Sequence, residues 1–132
     1  MKISRFLTLL FTLCLLISMI SCSDDSDSSE KRVLIKGMNV IITDILITSG
    51  DEVVINQSGL NTSSLLFGFE NHRQMEVKVT GKVFYHTIGT DEKKVMLLIA
   101  KPKGDNVDIV EVLEKEDAPE GEEVTLSATV RF

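Results

Sequence analysis

Few side chains in this 132-residue sequence are of a kind that does chemistry. The histidines are His72 and His86, and the cysteines are Cys14 and Cys22. A Ser/His/Asp triad needs a histidine beside a buried carboxylate and an exposed serine. His72 falls in the turn-forming stretch Asn71-His72-Arg73, and His86 follows Tyr85 on a strand-like run. No G-x-S-x-G nucleophile motif is present, and the two histidines lack the H-E-x-x-H spacing of a zinc site. G-x-G-x-x-G and Walker-type phosphate loops are absent too. Carboxylates cluster most densely in residues 114–123, where Glu114, Glu116, Asp117, Glu120, Glu122 and Glu123 fall within ten positions. Calcium favours such oxygens when a loop wraps them, but no cluster follows the D-x-[DN]-x-[DN]-G pattern. Solvated turns are the simpler reading, with loose calcium binding at Glu114 to Glu123 as the alternative. The expectation is a chain with no catalytic residues, no cofactor and no resident metal.

The cysteines point elsewhere. Lys2 and Arg5 form a short basic segment, and residues 6–20 (FLTLLFTLCLLISMI) are apolar and uncharged. As a helix those 15 residues span about 22 Å, short of a hydrocarbon core of about 30 Å. That length suits the apolar region of a signal peptide, and acidic rather than basic residues follow it. The segment ends Met19-Ile20-Ser21-Cys22.

This ending resembles the lipobox of bacterial lipoprotein precursors, in which apolar residues and a small residue precede a cysteine. The resemblance covers residues 1–22 and matches at Ser21 and Cys22, with Met19 where leucine is usual. It implies cleavage between Ser21 and Cys22, and a diacylglycerol on the Cys22 thiol, usually with acylation of its amine. Two or three acyl chains hold a protein stably on a membrane where one does not. Cys14 leaves with the leader and Cys22 is consumed. Residues 23–132 contain no cysteine, so they can form neither a disulfide nor a thiolate metal site.

Residues 23–32 (SDDSDSSEKR) bury nothing apolar and read as a disordered tether. Stretched, they reach about 33 Å. Asp24-Asp25 after the lipidated cysteine resembles the acidic surface-export signal of lipoproteins in some double-membrane bacteria. That implies an outer-membrane protein displayed at the cell surface, with the inner face of the outer membrane as the alternative. Three segments follow: a signal peptide 1–21, a lipidated cysteine and tether 22–32, and a single domain 33–132.

Charge and composition narrow the partners. Fifteen of the first 22 residues are hydrophobic, so the mean hydropathy of +0.15 owes much to the leader. Formal net charge is −6, and without Lys2 and Arg5 it is −8. An acidic chain without a basic stripe is unsuited to nucleic acid.

Residues 33–132 read as strands separated by Gly, Asn, Asp and Pro. The pattern predicts strands at 33–36, 39–48, 52–56, 64–69, 75–80, 82–88, 94–101, 107–115 and 123–132. The fold class is all-β: an antiparallel sandwich of Ig-like or Greek-key type with seven to nine short strands, or a small closed barrel. Residues 123–132 alternate cleanly, with Val124, Leu126, Ala128, Val130 and Phe132 on one face. Val95 to Ala100 do not alternate, which predicts a central strand covered on both faces. Gly81 reads as a bulge or tight turn, and Asp44 interrupts an apolar run where a bulge would flip the pattern. Leu66, Phe67 and Phe69 form a short apolar run that supplies either core or a contact for a partner.

Two functional classes fit. One is a membrane-anchored, non-catalytic binding or assembly module that meets a protein partner by sheet edge or loop. The other is a small-ligand or inhibitor module. An open edge at 123–132 favours the first, and a cavity above about 300 Å³ favours the second.

Overall fold

The computed structural model describes residues 31–85 and 92–132. The leader, Ser21, Cys22, Asp24, Asp25 and His86 lie outside the described residues. Eight strands follow in order: β1 (Lys31–Met38), β2 (Val40–Ser49), β3 (Glu52–Thr62), β4 (Ser64–Phe69), β5 (Gln74–Val83), β6 (Lys94–Lys103), β7 (Asn106–Glu116) and β8 (Glu123–Arg131). They form two antiparallel four-stranded sheets, the first ordered β4-β1-β6-β7 and the second β3-β2-β5-β8. Neither sheet closes on itself, so the architecture is a sandwich and the barrel alternative is excluded.

Period-two patterning explains the elements. On β5, Met75, Val77, Val79 and Val83 are buried, with Glu76, Lys78 and Lys82 exposed between them. β8 buries Val124, Leu126 and Val130 and exposes Thr125, Ser127 and Thr129. On the first sheet Val33, Ile35, Val95, Leu97 and Ile99 point inward and are fully buried. These rows interdigitate into one apolar core, in which no polar or charged residue is buried. Lys31–Phe132 form a compact unit with this core inside it. Two hairpins, β2–β3 and β6–β7, turn over Gly50-Asp51 and Gly104-Asp105. Both glycines have positive φ, 63° and 59°, as the first residue of a type II′ turn requires.

Several expectations are corrected. Predicted strands 75–80 and 82–88 meet in one element, because β5 runs through Gly81 without a break and ends at Val83; residues 86–88 lie outside the described residues. The bulge lies on β2 instead: Ile42 faces Gly81 and Asp44 faces Thr80, leaving Thr43 as the extra residue. It shifts the inward phase from Val40 and Ile42 to Ile45 and Ile47, which is how the Asp44 interruption is absorbed. Gly81 is needed there because a Cβ would lie 2.5 Å from Val40 Cγ1. β3 extends to Thr62, beyond the predicted end at residue 56. It is an edge strand with mostly exposed side chains, so no apolar alternation marks its polar second half. β1 begins at Lys31, so Lys31 and Arg32 belong to the sheet rather than the tether, pairing with Phe69 and Gly68. Phe132, expected on the dry face of the last strand, is 37% exposed, with the Lys31 ammonium 5.9 Å from its ring centroid.

Candidate functional site

Each sheet has an outer face, and the two differ. On the second sheet, Glu76, Lys78, Lys82, Glu123, Thr125, Ser127, Thr129 and Arg131 project outward and make a mostly polar surface, on which Leu46 and Val53 are also exposed. On the first sheet the outward positions are largely apolar. Register fixes which side chains share that face: Leu34 lies opposite Leu66 and Ala100, Lys36 opposite Leu98, and Met38 opposite Met96. On β7, Val112 lies beside Leu98, Ile109 beside Ala100 and Val107 beside Pro102. Val107 is 53% exposed, Ile109 63% and Leu66 52%. Among the described residues no further layer covers this face. This explains the run Val95 to Ala100: Val95, Leu97 and Ile99 enter the core, while Met96 and Leu98 sit half-buried on the outer face. The expectation of cover on both sides is thus met on the inner face alone.

Toward the ends of β1 and β6 this surface deepens into an open groove of about 670 Å³. Met38, Met96, Leu98 and Phe84 line it, with Ile41 beyond the corner where the chain passes from β1 to β2. Asn39 makes that corner in the left-handed region, φ 57°, and donates from Nδ2 to the Lys94 carbonyl at 2.8 Å. Asn61, at φ 48°, lies on the opposite wall, just before the chain crosses from β3 to β4. Asparagine tolerates this region better than other side-chain-bearing residues. Of the lining side chains, Lys36 alone is charged. Among the described residues its ammonium makes no hydrogen bond or ion pair.

The sequence-predicted contact trio is divided. Phe69 is buried in the core, and Phe67 points inward against it with ring centroids 6.4 Å apart. Leu66 projects to the outer face. The alternation within this run places the two phenylalanines together and Leu66 opposite. The remaining members of the outer face went unrecognised because they come from four strands joined only by register.

The titratable groups are dispersed. His72 meets Phe69 edge-on at 6.2 Å, and its carbonyl accepts from Lys31 Nζ at 2.7 Å. Glu114 pairs with Lys94 at 3.4 Å and Glu122 with Lys115 at 3.0 Å, so two of the carboxylates of 114–123 are drawn to separate lysines. Among the described residues no three potential ligands converge on a metal position. The Tyr85 hydroxyl donates to the Ala118 carbonyl and ties the end of β5 to the β7–β8 connection. Desolvation, followed by the nearby Asp117, Glu122 and Glu120 carboxylates, raises its pKa above the usual phenol value of 10.0.

The edges are the other available surface. β8 pairs with β5 and, among the described residues, has no ladder partner on its other side. Phe132 N–H donates to the Arg73 carbonyl at 2.8 Å and Val83 N–H to the Glu122 carbonyl at 2.8 Å, which sets the phase of that ladder. Thr125, Ser127 and Thr129 therefore turn their backbone N–H and C=O groups to the open side. Arg131 does likewise, and its carbonyl is taken by Lys101 Nζ at 2.7 Å.

Compared with known proteins, the chain matches no family model, no curated protein and no solved structure.

Proposed function

We propose that this protein is a membrane-anchored, non-catalytic binding module, held on the outer membrane by an acylated Cys22 and displayed at the cell surface. The leader and the residues Ser21-Cys22 and Asp24-Asp25 support the anchor and the location. The observation that carries the binding role is the unequal pair of outer faces. One is mostly polar, with Leu46 and Val53 the exposed apolar side chains on it, and the other carries a continuous apolar row that exposes Leu66, Val107 and Ile109 across the first sheet. Exposed apolar patches of this kind are characteristic of interaction surfaces. The open edge of β8 offers a second mode, strand addition by a protein partner.

The test has two arms. Cys22→Ala is expected to move the protein from the membrane fraction to the soluble fraction. A photo-crosslinking residue at Leu66 or Ile109, in intact cells, is expected to give discrete adducts that the same residue at Lys78, on the outer face of the central strand β5, does not. Retention of an uncut membrane-bound Cys22→Ala protein would overturn the anchor. Indistinguishable adducts from the two faces would overturn the binding surface. A second reading, a small-ligand module, is favoured by the groove of about 670 Å³, which falls within the usual range for ligand sites.

A further inference from the structure

We propose that the groove at the end of the first sheet binds an unbranched carboxylate amphiphile, with its chain along Met38, Met96, Leu98 and Phe84 and its head on Lys36. This rests on the small-ligand reading and gives it a ligand class. The lining explains the chain: the thioethers and large apolar side chains of Met38, Met96, Leu98 and Phe84 supply apolar contact, and Asn39, Asn61, Thr62 and Ser63 supply the polar part of the lining. Methionine's unbranched, polarizable side chain adapts to a flexible ligand better than a rigid wall does.

Charge selects the head. The protein is acidic overall, yet among the described residues the groove carries a single charge, the Lys36 ammonium, and no carboxylate. Lys36 lies opposite Leu98 on β6 and Ser64 on β4, so its stem begins on the apolar surface and its ammonium is free of protein partners among the described residues. A carboxylate there gains an ion pair, and a quaternary ammonium is repelled. A fatty acid of about twelve carbons occupies roughly 350 Å³, taking about 30 Å³ per chain atom as for a water's share of liquid volume. It fits with room for its hydrated head at the open mouth.

The experiment is a titration of the chain from Ser23 onward, which retains the compact unit Lys31–Phe132, with dodecanoate below its micelle concentration. Side-chain methyl spectra of the methionines are the readout. Saturable shifts are expected at Met38 and Met96. Octanoate should bind at least ten-fold more weakly, since each buried methylene contributes up to about 0.8 kcal/mol, which is up to about four-fold in affinity. Lys36→Gln should weaken dodecanoate about three-fold, the size of an exposed ion pair. Met38→Glu, at an exposed position, should weaken it more than ten-fold, and Lys78→Gln on the opposite sheet should leave it unchanged. Unsaturable shifts, equal binding of dodecyltrimethylammonium, or indifference to both Lys36→Gln and Met38→Glu would overturn the proposal. Those outcomes alongside face-specific crosslinks from Leu66 would leave the binding module standing without this ligand.

Discussion

Leu126 and Thr129 lie three residues apart on β8 and have opposite fates. Leu126 is packed in the core, and Thr129 faces water. Removing a buried leucine side chain costs about 2–5 kcal/mol, a large share of the roughly 5–10 kcal/mol that holds a small domain folded. Leu126→Ala is therefore expected to lower the urea midpoint sharply, whereas Thr129→Ala shifts stability by under about 0.5 kcal/mol. The reverse ranking in urea melts would mean that β8 pairs one residue out of register. Tyr85 makes a different prediction. Its phenol pKa is higher in the fold than in the open chain. Above pH 10 the unfolded chain loses this proton before the folded one does, so stability falls as pH rises through the raised value. The contribution is intact below pH 10. Denaturation midpoints measured on both sides of that pH are expected to fall less steeply in Tyr85→Phe, which has no phenol to ionise.

At the scale of the strands, the pairing of β2 with β5 depends on one extra residue and one missing side chain. Thr43 bulges out of β2, and Gly81 sits opposite Ile42 just before the irregularity. The side-chain-free Gly81 lets Val40 Cγ1 and the Ile41 carbonyl approach to 2.5 Å and 3.0 Å of where a Cβ would be. Gly81→Ala is expected to destabilise by about 1–3 kcal/mol, the usual cost of overpacking, even though alanine has the better backbone entropy. A thermal melt checks it, and an unchanged midpoint would show that the ladder can slide to make room. The edges differ as well. β3 is long, polar and twice irregular against β2, which makes it a poor template for strand addition. β8 is regular through nine pairs and has only its last carbonyl capped by Lys101.

For the whole molecule, location and binding are separable. If Asp24-Asp25 direct display, replacing both with alanine is expected to reduce protease or antibody access in intact cells at constant total protein. Equal access would leave the segment as a plain spacer. The all-β class, the hairpin turns at Gly50 and Gly104 and the dry face of β8 were legible in the chain, because a strand writes its environment as alternation and a tight turn writes its φ as glycine. The reading of residues 1–22 as a leader resembling a lipobox rests on the sequence alone, since those residues lie outside the described ones. Which strand meets which was not legible, since pairing depends on contacts far apart in the chain. Asp44 and Gly81 show the difference: the interruption at Asp44 marked its bulge on β2 locally, whereas the bulge or turn expected at Gly81 is absent and only the structure puts Gly81 across from that bulge. The apolar outer face arises in the same way. Leu66, Met38, Leu98 and Ile109 stand on four strands and become one surface only through the order β4-β1-β6-β7. No local pattern encodes that order, because the free energy that selects it comes from burying the opposite faces of the same strands in a shared core.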